Sequence, residues 1–241
     1  MGVSEPAPDA EPFRQPQREV PIAAKVGSAA AFGAFFHQGQ ICFTIGRHLV
    51  HESVAGDYAR ILGEKAAALH VGNPATEQVH LGPIVNETQA ARAQDIYDRT
   101  LAMGAEAVVA GGRDGTMFKP AVVKGVTRDM PLFKEEIFGP VAPITTFATE
   151  DEAIELANAV EYGLATSIFT ADLARAARIA DRVRTGIVHV NDQTLVHEVF
   201  GPIGGMGASG NGARSGGPSM ADEYSQWQWV TVSADIPGYP F

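Results

Sequence analysis

The 241-residue sequence has very little cysteine, because Cys42 is its only one and no disulfide can form within the chain. No stretch approaches the roughly 18 to 20 apolar residues of a transmembrane helix, and no signal segment opens the sequence. Basic residues are in the minority, since 28 Asp and Glu oppose 18 Lys and Arg for a formal charge of −10. These absences argue against a disulfide-stapled secreted domain, a membrane protein and a nucleic-acid-binding surface. They favour a soluble cytoplasmic protein whose partner is a small molecule or another protein.

The first 21 residues differ in composition from the rest. They carry five prolines and six charged residues with almost nothing to bury. This composition predicts a disordered Pro-rich lead-in at residues 1–21, followed by one folded unit over residues 22–241. No internal repeat is evident.

Helical and strand patterns alternate through the folded unit. Apolar periodicity predicts helices over Glu52–His70 and Glu87–Met103, one after a T-E-D-E capping box at Thr149, and one that Asp172 caps and Gly186 ends, with Arg182 and Arg184 in its last turn. Short apolar runs predict the strands Ala105–Gly112, Pro120–Val126, Val141–Phe147, Ala165–Thr170 and Gly186–Asn191. Strands separated by single helices indicate an α/β fold, with a three-layer, mostly parallel sheet and helices on both faces.

The last segment, at about residues 222–241, has a strand-like alternation of its own. Trp227, Trp229 and Thr231 alternate with smaller or polar neighbours, and no helix folds the segment back. Two interpretations stay open: an edge strand of the chain's own sheet, or a strand that completes the sheet of a partner in a homo-oligomer.

Cys42 lies in the stretch FFHQGQICFT at residues 35–44. A lone cysteine is more often an apolar filler than a nucleophile. Here, however, Gly39 and Gln40 predict a tight polar turn after an apolar helical run at Ala29–Phe36, where backbone amides can face the sulfur and an oxyanion. His37 is close in sequence, which does not establish a thiolate–imidazole pair.

Two further motifs bear on ligand binding. Gly205, Gly207 and Gly210 satisfy G-x-G-x-x-G, but too little chain follows for a βαβ unit, so the string is interpreted as a structural loop. The stretch KEEIFGPV, at residues 134–141, places two acids and a ring ahead of a buried strand, where they suit a ligand's hydroxyls and a flat heterocycle. By itself, however, this stretch favours a solvated turn with one core phenylalanine.

The histidines give no metal signature. His48 and His51 lie in a strand-like HLVH, where a spacing of three places them on opposite faces. His189 and His197 have no Cys or carboxylate partner at ligand spacing. No metal site is predicted.

Six motifs taken in order resemble the catalytic domain of the NAD(P)-dependent aldehyde dehydrogenase family, with features similar to its benzaldehyde and vanillin dehydrogenases. They cover residues 22–241, including a tail similar to that family's oligomerisation strand. The motifs are GQIC at 39–42, LGPIV at 81–85, EEIFGPV at 135–141, NAVEYGLATSIFT at 158–170, GIVHVN at 186–191 and PIGGMGASGNG at 202–212.

The resemblance implies roles for three residues. Cys42 corresponds to the nucleophile that forms a thiohemiacetal and then a thioester, Glu136 to the residue that holds the nicotinamide ribose, and Phe138 to the one that orients the nicotinamide ring. The cofactor is accordingly expected to be NAD or NADP. Phe36, Phe43 and Phe200 adjoin these motifs and are candidates for an aromatic substrate pocket, although phenylalanine is more often simply core.

The sequence departs from the family by lacking its N-terminal dinucleotide-binding domain and the ELGGK-like motif that carries a general-base glutamate. The resemblance therefore implies the second half of the enzyme, as a truncation, a split subunit or a fragment, with little activity alone. Homo-oligomerisation or a separate dinucleotide-binding subunit is expected. Two alternatives remain open: a non-catalytic remnant acting as an assembly module, and a thiol esterase that uses Cys42 without a cofactor.

Overall fold

The computed structural model describes residues 22–196 and 198–240, so the predicted lead-in at residues 1–21 and His197 lie outside the described residues. The helices are α1 Ile22–Phe35, α2 Glu52–Ala67, α3 Glu87–Ala102, α4 Pro131–Lys134, α5 Glu150–Ala157, α6 Leu173–Ala180 and α7 Ser219–Glu223. The strands are β1 His48–His51, β2 Glu106–Val109, β3 Gly112–Asp114, β4 Met117–Lys119, β5 Ala121–Lys124, β6 Val141–Phe147, β7 Tyr162–Gly163, β8 Ala165–Ile168, β9 Ile187–Val190 and β10 Met206–Gly207.

The main sheet has four strands in the order β1-β6-β5-β2. Strand β6 pairs in parallel with both of its neighbours, with Ile144 opposite His48 of β1 and Val141 opposite Ala121 of β5. Strand β2 adds an antiparallel edge through Ala107 and Val123. The sheet is thus parallel at its centre, as the alternation of helices and strands predicts.

Successive residues of β5 point to opposite faces of this sheet and mark the two core layers. Val122 packs with Leu62 and the other buried residues of α1 and α2. Val123 packs on the opposite face with Ile96 and the buried residues of α3. Because all four side chains are fully buried, helices cover both faces and the three-layer prediction is confirmed.

Strands β8 and β9 form a second, two-stranded parallel sheet, with Ala165 opposite Ile187. They are joined through α6, as the strand–helix–strand pattern predicts. The predicted end of α6 is wrong: the helix ends at Ala180, before Arg182 and Arg184, because the amide of Arg182 turns back to the Ile179 carbonyl.

Side-chain caps begin four of the described helices, and those of α3, α5 and α6 bear on the sequence predictions. Thr149 accepts a hydrogen bond from the amide of Glu152, and the Glu152 carboxylate in turn accepts from the amide of Ala148. Asp172 accepts from the amide of Arg175 at 3.0 Å, and Asn86 from that of Gln89 at 2.9 Å. The Thr149 and Asp172 caps are therefore present as predicted, whereas the return bond of the capping box comes from the amide of Ala148 and not from that of Thr149.

Several short pairings differ from the sequence prediction. The predicted strand Ala105–Gly112 is two strands, because Gly112 begins β3, which pairs with β4 in a tight antiparallel hairpin. In the glycine string, β10 pairs with β7. The predicted tail strand is not formed within the chain: beyond α7 the described tail has no strand partner, and Trp227 and Trp229 are 95% and 91% exposed. None of the described helices has the length and apolar character needed to cross a membrane.

Candidate active site

The turn before Cys42 adopts an uncommon backbone conformation. Helix α1 ends at Phe35, and His37, Gln38 and Gly39 then take positive φ values of 52°, 57° and 68°. A Cβ atom added to Gly39 would lie 2.4 Å from the carbonyl oxygen of Gly139. Only glycine avoids both the conformational cost and this overlap, so Gly39 allows the cysteine turn to contact the EEIFGPV turn.

Cys42 is exposed at the surface of this turn. The amide of Thr44 donates to the carbonyl of Ile41 at 2.9 Å and closes the chain around the cysteine. Among the described residues, none accepts a hydrogen bond from the amide of Cys42 or Phe43, and no side chain hydrogen-bonds the sulfur. The thiol is therefore accessible, with two adjacent backbone donors still available.

Two side-chain contacts connect the cysteine turn to other motifs. The Gln40 amide oxygen accepts a 2.8 Å bond from the amide of Val85, in the LGPIV motif. The hydroxyl of buried Thr194 donates to the carbonyl of Phe43 from the loop after β9. The cysteine turn is thus bonded to one segment more than 40 residues later in the chain and to another more than 150 residues later.

The second candidate element is the turn that carries Glu136 and Phe138, between α4 and β6. Phe138 is half-buried and has a φ of +48°. Glu136 is exposed, yet partial desolvation raises the pKa of its carboxyl. The positive charge of Arg92 opposes that shift. A carboxylate and an aromatic ring are therefore offered on one short turn.

Helix α3 supports the backbone of this turn. The side-chain amide (Nε2) of Gln89 donates to the backbone carbonyls of Ile137 and Phe138 at 2.8 and 3.1 Å. The guanidinium of Arg92 donates to the carbonyl of Glu136 at 2.8 Å. These bonds satisfy carbonyl oxygens that the turn itself leaves unpaired.

The candidate pocket phenylalanines occupy different environments. Phe36 is 50% exposed and stacks on Phe32, with 4.7 Å between ring centroids. Phe43 is half-buried in the cysteine turn, and Phe200 is 85% exposed at a turn of its own. A groove of about 560 Å³ lies elsewhere, between α2 and the sheet, and its lining includes none of the candidate site residues.

The histidines of HLVH point to opposite faces, as strand geometry predicts. His48 is buried, and its Nδ1 lies 2.7 Å from the hydroxyl of Tyr58. Burial lowers the pKa of His48 to about 4, so its imidazole is neutral near pH 7. His51 is exposed. In the part of the chain that the structure describes, no cluster of three His, Cys, Asp or Glu residues is arranged to hold a metal ion.

Sequence reasoning missed four residues of this region: Phe32, Gln89, Arg92 and Thr194. Spacing carried a usable signal for the two on α3, because positions 89 and 92 follow the Asn86 cap and share one helical face. Thr194 had no such signal, since its contact with the cysteine turn depends on the tertiary fold.

Comparisons with known proteins identify relatives over most of the chain. A model of the aldehyde dehydrogenase family matches residues 23–230. The chain is 48% identical over 214 residues to the NAD⁺-dependent benzaldehyde dehydrogenase of Pseudomonas putida, and 46% identical over 215 residues to a vanillin dehydrogenase of an Amycolatopsis species. In both cases the match covers 89% of this chain and 44% of the relative.

Solved structures agree with these matches. The chain superposes on the salicylaldehyde dehydrogenase of Pseudomonas putida G7, solved with salicylaldehyde, with a TM-score of 0.85 and 33% identity, covering 91% of this chain and 45% of that one. An NAD-dependent aldehyde dehydrogenase of Sinorhizobium meliloti gives a TM-score of 0.83 at 32% identity, covering 91% and 44%. The chain therefore spans less than half the length of these relatives.

Proposed function

The chain belongs to the aldehyde dehydrogenase family, and we propose that it supplies the nucleophile and one wall of the cofactor site of an NAD(P)-dependent enzyme that oxidises an aldehyde to a carboxylic acid. The observation that carries the proposal is the contact between Gly39 and Gly139. It places the turn of the only cysteine against the turn that carries Glu136 and Phe138.

In this proposal Cys42 is the catalytic nucleophile. Its sulfur bonds to the carbonyl carbon of the aldehyde, which gives a thiohemiacetal, and it leaves as thiolate when water cleaves the later thioester. The exposure of the sulfur supports the first step, since an aldehyde can reach it. The backbone amides of Cys42 and Phe43, which have no acceptor among the described residues, are proposed as donors to the oxyanion that forms at the carbonyl oxygen.

Glu136 and Phe138 are proposed to hold the dinucleotide. The partly desolvated carboxylate of Glu136 suits a ribose hydroxyl as a hydrogen-bond acceptor, and the half-buried ring of Phe138 suits a flat nicotinamide. The residues present therefore fit the group. A bound nicotinamide supplies the hydride acceptor that aldehyde oxidation requires.

An aromatic aldehyde is the proposed substrate class. Relatives named for benzaldehyde, vanillin and salicylaldehyde support this choice. Within the chain, the stacked and half-exposed rings of Phe32 and Phe36 lie at the end of the helix that leads into the cysteine turn. Phe43 and Phe200 remain candidates for the same pocket.

Thioester hydrolysis by this chain alone is expected to be slow. Among the described residues, no carboxylate or imidazole forms a hydrogen bond with Cys42, so no side chain is paired with the thiol as a base. A general base typically contributes about 10²- to 10⁴-fold in rate. We therefore expect aldehyde capture by the 241-residue chain with little turnover.

An assembly role is the second candidate, favoured by one observation. The tail beyond α7 exposes Trp227, Trp229 and Val232 almost completely, each more than 90%. Large apolar side chains in that state are typical of a surface that another chain covers. Both roles are compatible in a homo-oligomer.

The decisive experiment measures alkylation of Cys42 by iodoacetamide, followed by intact mass. Benzaldehyde is expected to slow alkylation in a saturable way and toluene is not, because only the aldehyde forms a thiohemiacetal. N-acetylcysteine in the same reaction reports how strongly benzaldehyde protects a free thiol that is not held by a protein. The Cys42→Ser variant confirms that Cys42 is the residue that is alkylated. Equal protection of both thiols by benzaldehyde would contradict a built aldehyde site.

A further inference from the structure

One face of α3 is directed at the turn between Glu135 and Phe138. Gln89, Arg92 and Arg99 are spaced by three and seven residues, which places them on a single helical stripe. Each binds this turn: Gln89 and Arg92 through backbone carbonyls, and Arg99 through a two-bond ion pair with the Glu135 carboxylate.

Arg92 contacts the backbone of Glu136, one of the two candidate cofactor residues. Its Nη1 donates to the carbonyl of Glu136 at 2.8 Å and approaches the carbonyl of Ile137 at 3.5 Å. The next residue, Phe138, has a φ of +48°, a conformation that a phenylalanine adopts only when its surroundings hold it there. The bonds from α3 are the polar contacts that hold this backbone.

Arg92 also acts on the charge of the turn. Its guanidinium is the positive group that opposes the desolvation of the Glu136 carboxyl. Of the other charged residues of the turn, Glu135 is paired with Arg99, and Lys134 is exposed. Among the described residues, Arg92 is the cation that acts on the pKa of Glu136, so no other of these charges offsets its loss.

We propose that Arg92 is a positioning residue of the cofactor site, which fixes the carboxylate of Glu136 and the ring of Phe138 in the orientation that binds the dinucleotide. The proposal rests on the proposed function, because it takes these two residues as the cofactor contacts. A guanidinium suits this task, since a charge-assisted hydrogen bond is stronger than a neutral one and has a fixed direction.

The test compares Arg92→Ala, Arg92→Gln and Arg92→Lys with Arg128→Ala. Arg128 pairs with Glu155 on the surface, away from the turn, and is the matched arginine control. Two quantities are measured by NMR: the pKa of the Glu136 carboxyl, assigned with Glu136→Gln, and the affinity for NAD in a ligand-observed titration.

Arg92→Ala is expected to raise the pKa of Glu136 and to weaken NAD binding by about tenfold, the effect of losing one charged hydrogen bond. Arg92→Lys is expected to restore most of both quantities, and Arg92→Gln to leave the pKa raised. Arg128→Ala is expected to change neither. A role confined to stability would lower the free energy of unfolding without moving the pKa, so that outcome overturns the proposal.

The readouts separate this proposal from the proposed function. If the wild-type chain shows no saturable NAD binding, the cofactor role of Glu136 and Phe138 in this chain is contradicted. The role of Arg92 is then decided by the Glu136 pKa and by hydrogen exchange of the amides at 136–138. If Arg92→Ala changes neither the pKa of Glu136 nor the hydrogen exchange of these amides, the proposed role of Arg92 is overturned. Faster exchange together with a raised pKa of Glu136 would support it.

Discussion

Replacing Gly39 by alanine tests whether the contact between the two turns organises the site. The φ of +68° makes a left-handed alanine cost about 1 to 2 kcal/mol. In addition, the new Cβ would lie 2.4 Å from the Gly139 carbonyl, which is backbone and cannot rotate away. Overpacking of this kind typically costs about 1 to 3 kcal/mol, so the predicted loss of unfolding free energy is about 2 to 5 kcal/mol.

Two glycines of the same chain separate these contributions. Gly115 has a φ of +58° with open space around it, so Gly115→Ala reports the conformational cost alone. Gly46 lies four residues after Cys42 and has neither a positive φ nor a close neighbour. Gly46→Ala is therefore expected to change the free energy of unfolding by less than about 0.5 kcal/mol. Urea unfolding gives the three free energies, with the m-value checked for each variant.

A functional consequence accompanies the loss of stability. Relief of the overlap requires the two turns to separate, which moves Cys42 away from Glu136 and Phe138. Protection of Cys42 from alkylation by benzaldehyde together with NAD is therefore expected to weaken in Gly39→Ala and to persist in Gly115→Ala. A loss of stability in Gly39→Ala no larger than that in Gly115→Ala would refute the proposed packing of the two turns.

Three further predictions concern a buried histidine, a helix cap and the exposed tryptophans of the tail. The pKa of His48 in the folded chain is about 4, below its ordinary value of 6.5. As pH falls below 6.5, the unfolded chain therefore takes up a proton on this histidine before the folded chain does. The stability that neutral His48 contributes is present above pH 6.5 and is lost between pH 6.5 and 4. His48→Gln is expected to flatten the urea-measured pH dependence there, and an unchanged slope would contradict the assignment. Thr149→Ala removes the cap of α5 and is expected to cost about 1 kcal/mol in urea unfolding, whereas Thr149→Ser is expected to retain most of that stability. Replacing Trp227 and Trp229 together by serine is expected to lower the association state in sedimentation without changing the melting of the folded unit; an unchanged state would count against a tail-mediated interface.

Local sequence patterns predicted most of the longer helices and strands, whereas features that depend on tertiary contacts were not predicted. The apolar run Val141–Phe147 is strand β6 over the same residues, and Thr149 and Asp172 cap the helices that follow them. These features depend on neighbours a few positions apart, so a sequence displays them directly. The hairpin of β3 and β4 was missed because its strands have three residues each, too short for an alternation to register.

The candidate site shows the same division. Motif order made Cys42, Glu136 and Phe138 the candidate site residues. No sequence pattern indicated that Gly39 lies against Gly139 or that Arg92 contacts the backbone of Glu136. Such contacts join residues about 100 and 44 positions apart. They depend on how α1 and α3 pack on opposite faces of the sheet.

The two turns of the site share a feature that bears on how it works. His37 and Gln38 on one turn and Phe138 on the other are non-glycine residues with positive φ, each in a conformation that is unfavourable in isolation. Gln89 and Arg92 stabilise the turn of Glu136 and Phe138, and the bond from Val85 to Gln40 stabilises the cysteine turn. Because these contacts are made by residues of the same chain and not by a ligand, we expect both turns to be set before any substrate or cofactor binds. Binding energy is then available for the reaction rather than for ordering the turns, which is the advantage of a preorganised site.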